Sequence, residues 1–467
     1  MTRPVPFRPG ADGLPAVDRS RLPAPGLPRP FRFPAIERSS LSSGLRVWTV
    51  RHASIPVVTL ALLVRRGAAH DPPAREGLAA LTVDMLDEGS GDRTAIEMHE
   101  ALARIGAQLD SDIGPDSATL TVTALSRFAD RALMLLADMA VRPSLAEADF
   151  VRVRQLRLHR LTQLRDMPGA VADRTFVRLL YGSHPYGHTS LGNEAALASM
   201  TVDDVRVFHE TMLRPSEATL VAVGDCDHET TLRWAAEAFG GWEGAAAPGE
   251  LPDEVLPSPS RLNILPRPGA PQSELRIGHV AAARGTPDYH ALVVANCVLG
   301  GQFVSRINLN LREDKGFTYG ARTSFDFRRL PGPFALQVGV ETAATTRAIQ
   351  ESLDEIAAIR GSRPITADEM ALGVATLTRG FARNFETAEQ VARAATQIAL
   401  YDLPDDYYSQ FVPCVERLTI AEVTSAAVRH LHPDQLTTLI VGDIDKILHG
   451  LTELDLGEPV VLPAAGF

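Results

Sequence analysis

The sequence predicts an α+β chain of two homologous domains, each a largely antiparallel sheet with helices on one face. Three observations carry that class. Residues 200–227 (MTVDDVRVFHETMLRPSEATLVAVGDCD) lie over residues 418–445 (LTIAEVTSAAVRHLHPDQLTTLIVGDID) without a gap. Shared residues, among them Thr201/Thr419, Val205/Val423, Pro215/Pro433 and Gly224-Asp225/Gly442-Asp443, fall at the same points of one plan: helix, x-Pro turn, apolar strand, Gly-Asp turn. A stretch rich in Gly, Ala and Pro, GGWEGAAAPGELPDEVLPSPS, divides the chain near its middle. In both halves strands cluster ahead of helices, which indicates α+β layers and not βαβ units.

Each element follows from its local pattern. Residues 1–36 hold nine prolines and no helical period, so they read as an extended arm, either a free tail or a strap over a partner. In the first domain, 37–240, the runs 45–50 and 57–64 read as strands, 77–86 and 94–105 as helices, 107–112 and 118–124 as strands, and 128–140 as a helix. Residues 241–260 form the linker. In the second domain, 261–467, strand 275–281 leads to helix 289–299, strands 319–327 and 334–340, and three helices between 345 and 400.

Composition removes several functions. The chain has 467 residues, long enough for more than one domain, with 46 basic against 57 acidic side chains and a net charge of −11. Nucleic acid is excluded as a partner on that balance, because phosphate binding needs a concentrated positive surface. Lys315 and Lys446 are the only lysines, which removes Schiff-base chemistry and leaves no GxxxxGK[ST] phosphate loop. Cys226, Cys297 and Cys414 are too few and too scattered for a disulfide framework or a thiolate zinc site. No apolar run reaches the roughly 18 residues of a membrane span. The N-terminus shows no signal-type apolar segment, so the expected compartment is the cytoplasm, or the periplasm if a signal has been removed.

The most informative segment is NLNLREDKGFTYGARTS, residues 308–324. Arg312 is expected to close a helix, Gly316 to make its C-terminal turn and Tyr319 to open a strand. A guanidinium and a phenol seven positions apart across that turn can converge on one side, as donors to a carbonyl oxygen or a developing oxyanion. Taken alone, the same pair also suits a surface Arg and a half-buried strand Tyr.

LREDKGFTYGA following VLGGQFVSRI, together with YGSHPYGHTSLGNEAAL at 181–197 and the strand LVAVGDCD, resembles the pitrilysin/insulinase family of zinc metallopeptidases across roughly residues 37–455. The resemblance implies repeated α+β domains that close as a clam-shell around a peptide. It also implies an inverted zinc motif, HxxEH, on a helix near the N-terminus, with a further glutamate ligand downstream. At the motif positions this chain carries Ala80, Leu81, Thr82, Val83 and Asp84, and around the downstream ligand His159, Arg160 and Leu161. Both histidines and the base are gone, and Asp84 with His159 falls short of the three protein ligands of a catalytic zinc. His184 and His188 have metal-like spacing but sit in a turn-like segment, where such residues bond backbone. Gly300-Gly301 reads either as a flexible loop or as a helix cap and turn.

The resemblance therefore implies half an active site. In two-chain members one subunit keeps HxxEH and its partner keeps the Arg/Tyr pair, matched here by Arg312 and Tyr319. On that expectation the chain binds no metal itself. A homologous HxxEH-bearing subunit brings zinc and the base, the two form a heterodimer around a peptide substrate, and Arg312 and Tyr319 act in trans. The alternative is an inert structural or scaffold homologue. A self-sufficient peptidase would require metal ligands that the sequence lacks.

Overall fold

The computed structural model describes residues 30–244, 249–255 and 260–463. Most of the expected arm (1–29) and two pieces of the linker (245–248 and 256–259) lie outside the described residues.

The first half builds a six-stranded sheet from β1 (Ile36–Ser40), β2 (Arg46–Arg51), β3 (Val57–Val64), β4 (Gln108–Ile113), β5 (Ala118–Leu125) and β6 (Ala218–Gly224), in the order β1-β2-β6-β3-β5-β4. The second half builds another from β7 (Leu262–Pro266), β8 (Gln272–Val280), β9 (Ala321–Phe325), β10 (Pro333–Glu341), β11 (Thr437–Gly442) and β12 (Val460–Val461), in the order β9-β10-β8-β11-β7-β12. Five consecutive positions correspond one for one: 2-6-3-5-4 in the first sheet is 7-11-8-10-9 in the second. Pairing matches too. β2 and β6 run parallel, as do β7 and β11, while the hairpins β4–β5 and β9–β10 are antiparallel.

The sequence repeat sits at the heart of this duplication. Thr201 caps the helix Val202–Met212 through a reciprocal bond with Asp204, and Thr419 caps Ile420–His430 the same way with Glu422. Each helix then turns at its Pro, Pro215 or Pro433, into a fully buried strand, β6 or β11. Gly224 closes the first copy at φ +136, where a Cβ would stand 2.1 Å from the Val57 carbonyl oxygen.

Each half lays its own helices on one face of its sheet. Ala129–Val141 and His228–Phe239 cover β2, β3, β5 and β6 through Leu133, Leu136, Ala235 and Phe239. Tyr289–Leu299, Thr345–Ala358 and Ile420–His430 cover the second sheet through Leu292, Ile349, Ile356 and Val423. The opposite faces are covered by exchange. Helix Ala388–Tyr401 of the second half packs Val391, Ala395, Ile398 and Ala399 on Val50, Leu63, Val221 and Val223 of the first sheet. Helix Pro168–Tyr181 of the first half packs Val171, Phe176 and Leu180 on Leu265, Leu439 and Val441 of the second. Arg276 on β8, 5% exposed, clamps that helix through Asp173 Oδ1 at 2.6 Å and the Gly169 carbonyl.

The described end of the arm is laid over the chain's own second half. Phe31 stacks on Phe385 at 4.6 Å between ring centres, Phe33 meets Phe385 and Tyr408, and the Phe33 N–H donates to Ser409 Oγ at 2.9 Å. No helix among the described residues is long and apolar enough to cross a membrane.

Candidate functional site

The motif positions of the first half lie on the helix Leu78–Asp84, whose first turn is tied to Asp71: the Gly77 and Ala79 N–H groups donate to its carboxylate at 2.6 and 2.7 Å. Ala80, Leu81, Thr82 and Val83 are all buried. Asp84 accepts from Arg157 Nη1 at 2.5 Å, and Arg157 Nη2 donates to the Ser190 carbonyl at 3.0 Å. Arg157 lies on Glu147–Arg165, the helix in which a further ligand was expected at 159–161, and it is the residue of that helix that reaches the motif. His159 is exposed and bonded to Gln155, while Leu161 is buried in the core.

These residues do not fit zinc. Two motif positions are apolar and closed in, and the third carries a carboxylate already satisfied by a guanidinium that repels a second cation. No group of three or more His, Cys, Asp or Glu among the described residues is placed to hold a metal. His184 and His188 are occupied structurally. His184 accepts from the Tyr186 N–H and donates to the Pro252 carbonyl, and His188 Nε2 lies 3.0 Å from both the Ala68 carbonyl and Asp71 Oδ2. Burial raises the Asp71 carboxyl above its usual range, with His188 pulling against it. Beside Val83 opens a cavity of about 350 Å³, lined by Asp87, His99, Leu102, Leu109 and Asp110. Asp87 is likewise raised by burial. A larger cavity of about 580 Å³ lies elsewhere, against Arg174, Arg178 and Leu265.

The second-half motif has a different character. Residues Leu309–Asp314 form a turn of π-helix, with the Lys315 N–H donating to the Asn310 carbonyl five residues back at 3.0 Å. Such wide turns are rare and occur often at functional sites. Gly316 at φ +67 ends it, as the sequence predicts. The strand opens later than expected, at Ala321, because the Thr318 hydroxyl holds the intervening loop, donating to the Gly339 carbonyl at 2.8 Å and accepting the Gly320 N–H at 3.1 Å. Tyr319 therefore stands on a pinned loop, 94% exposed, and its hydroxyl bonds to no described residue.

Arg312 is drawn inward: its guanidinium lies under the Phe303 ring and meets Glu313 Oε1 at 2.7 Å. The structure shows no direct bond between Arg312 and Tyr319, so any convergence of the two is on a ligand. Sequence reasoning missed both Phe303 and Arg157. Neither is marked by spacing, and only the three-dimensional contact shows them.

The outer edge of β9 is closed. Asn308, buried, donates Nδ2 to the Ala321 carbonyl and accepts the Ala321 N–H at 2.8 and 2.9 Å, and the Thr323 N–H donates to the Gly300 carbonyl at 3.1 Å. Gly300 and Gly301 are glycines for close approach: a Cβ would meet Thr323 Oγ1 at 2.6 Å and Asn296 Nδ2 at 2.5 Å. The flexible-loop reading of this pair gives way to a tight helix-end turn. A peptide cannot add as a strand along these β9 groups, so a ligand at this face meets side chains.

Two family models match, each over a different part of the chain: "Insulinase (Peptidase family M16)" over residues 46–193 and "Peptidase M16 inactive domain" over residues 199–377. The chain belongs to the insulinase family, M16. Among its relatives are the uncharacterized zinc protease YmxG of Bacillus subtilis, 23% identical over 72% of this chain and 81% of that protein, and an uncharacterized zinc protease of Mycobacterium tuberculosis, 22% identical over 87% and 93%. The crystal structure of a peptidase M16 inactive domain from Pseudomonas fluorescens superposes with a TM-score of 0.82 at 23% identity, covering 88% of this chain and 98% of that one. A Helicobacter pylori protease gives 0.80 at 18% identity, covering 87% and 99%. This M16 chain shares its fold with both.

Proposed function

We propose that the chain is the metal-free subunit of a two-chain M16 peptidase. A homologous HxxEH-bearing subunit supplies zinc, its ligands and the general base. This chain, with 37–240 and 261–467 as its domains, supplies half of a clam-shell chamber and presents Arg312 and Tyr319 to the peptide held at the partner's metal, in the cytoplasm. The observation that carries the reading is the contrast between the two halves. The motif helix of the first is filled with apolar side chains and an Asp84–Arg157 pair, whereas the Arg312–Tyr319 turn of the second is intact, with an unbonded phenol held in the open. A phenol and a guanidinium donate to a carbonyl oxygen, and donate more strongly as that oxygen gains charge on the way to the tetrahedral intermediate.

Native mass spectrometry of the protein isolated from its source tests assembly: a one-to-one complex with a chain of similar mass and one zinc is expected. A zinc-free homodimer or lone monomer favours the scaffold alternative. In the assembled complex Arg312→Ala is expected to lower turnover about 10²–10³-fold with assembly intact. Unchanged turnover removes the assigned role.

A further inference from the structure

The charge of Arg312 is covered in the chain by itself. Its guanidinium carbon stands 3.3 Å from the centre of the Phe303 ring, Nη2 lies 3.4 Å from the Phe303 carbonyl, and Nε lies 2.9 Å from Glu313 Oε1. The side chain is 12% exposed, and Nη1 is buried with no acceptor. The group on top is exposed: Phe303 is 71% and the adjacent Val304 51% accessible. A large ring left in water is held there by what it covers, since cation–π attraction is the contact on its inner face and no core packs its outer one.

The backbone is fixed before the ring at residues 300–302, and after it Ser305 Oγ accepts from Asn308 Nδ2 at 3.0 Å. Gly300 and Gly301 bond to Asn296, the Gln302 side chain accepts from Thr376, and the Gln302 carbonyl accepts from Asn308. Uncovering Arg312 therefore takes a rotation of one side chain and no loop movement. A buried donor without an acceptor is costly, so an oxygen that reaches it gains a bond.

We propose that Phe303 is a positioning residue that gates Arg312. Its ring holds the guanidinium flat and closed, and swings aside to give Nη1 to a carbonyl or carboxylate oxygen of a peptide. This rests on Arg312 being a peptide-binding donor, as argued above, and the test separates the two ideas. The full-length chain alone is treated with p-hydroxyphenylglyoxal under native conditions, and the modification rate of each arginine is read by peptide mass spectrometry. Arg104, with 77% of its side chain exposed, is the open standard, and Arg306, 4% exposed and paired with Glu369 at both ends, is the closed one.

Arg312 is expected to react about tenfold more slowly than Arg104, the ratio set by a contact of ~1.4 kcal/mol. Phe303→Ala is expected to bring it to the Arg104 rate while Arg306 stays closed, and Phe303→Trp to restore protection. Wild-type Arg312 reacting as fast as Arg104 overturns the gate whether or not any variant folds, and so does protection that survives Phe303→Ala. Loss of turnover in Arg312→Ala beside an unprotected Arg312 would keep the donor role and remove the gate. The reverse pattern would keep the covering contact and remove the role.

Discussion

Replacing Ile398 by Ala is expected to loosen the half of the molecule to which Ile398 does not belong. Ile398 lies on the helix Ala388–Tyr401 in the second half, is fully buried, and packs against the β2, β3 and β6 face of the first sheet with Val50, Leu63 and Val221. Truncating a fully buried Ile to Ala removes three carbons from a dry interface and leaves a cavity, at about 2–5 kcal/mol. The helix is held at its end by Arg65, whose Nη1 donates to Asp402 Oδ2 at 3.0 Å, so the cavity has little freedom to collapse. At about 3 kcal/mol, local opening of the first sheet becomes roughly a hundredfold more frequent.

Hydrogen exchange read by mass spectrometry on peptides covering Val57–Val64 and Ala218–Gly224 measures that opening. Ile356→Ala is the control, because Ile356 is equally buried but packs on the second sheet. It is expected to speed exchange in β8 and β10 and to leave β3 and β6 alone. Faster exchange confined to the second half in Ile398→Ala would refute the exchanged-helix argument, since the first sheet would then be stable without its foreign cover.

Three further outcomes are expected. Tyr319→Phe changes stability by less than ~0.5 kcal/mol, because the side chain is 94% exposed, yet lowers turnover of the assembled complex by about 10²–10³; calorimetry and peptide hydrolysis read the two, and equal turnover removes the phenol from the site. Arg157→Met strips Asp84 and the Ser190 carbonyl of their donor, and with Asp84 39% exposed the cost is about 1–2 kcal/mol, visible as a lower melting temperature; an unchanged one shows the pair to be idle. Burial holds the His279 imidazole down to about 4, with His432 and His430 adding repulsion and Asp434 opposing it, so the unfolded chain takes up that proton first as pH falls. This contribution is complete above pH 6.5 and is lost between 6.5 and 4; His279→Gln flattens that part of the urea-midpoint profile, and an unaltered slope assigns it elsewhere.

What was legible in the sequence is what is local. The capping threonines, the x-Pro turns, the Gly316 stop and the paired strands around Gly224 and Gly442 are decided within a few residues of one another, and the structure has them in place. The two-sheet α+β plan followed from the repeat of such units. The exchange of helices Pro168–Tyr181 and Ala388–Tyr401 was not legible, because an amphipathic helix shows that it has an apolar face without showing which sheet will meet it. The late start of β9 has a similar cause. Thr318 and Asn308 bond across from other segments and take the backbone out of the strand at Tyr319. Arg157 was hidden by distance along the chain: 73 residues separate it from Asp84.

The fate of the two halves follows from where each motif residue points. Ala80 and Val83 are buried on a helix anchored in the core by Leu78, Leu81 and Met85, with Val83 lining the cavity beside Asp87 and His99, so neither position offers a ligand. Asp84, the one position still carrying a ligand-type side chain, has acquired a counter-charge from Arg157, which satisfies it without a metal. The first half is thus stabilised in the form that cannot hold zinc. Arg312 and Tyr319 are not closed off in this way, although Phe303 and Glu313 cover most of the Arg312 guanidinium. Tyr319 touches nothing that its hydroxyl could serve, and Arg312 keeps a buried donor unpaired. A phenol bare in solvent and a guanidinium N–H without an acceptor add nothing to the stability of the chain by itself. On the proposed reading, both serve a ligand oxygen from outside the chain.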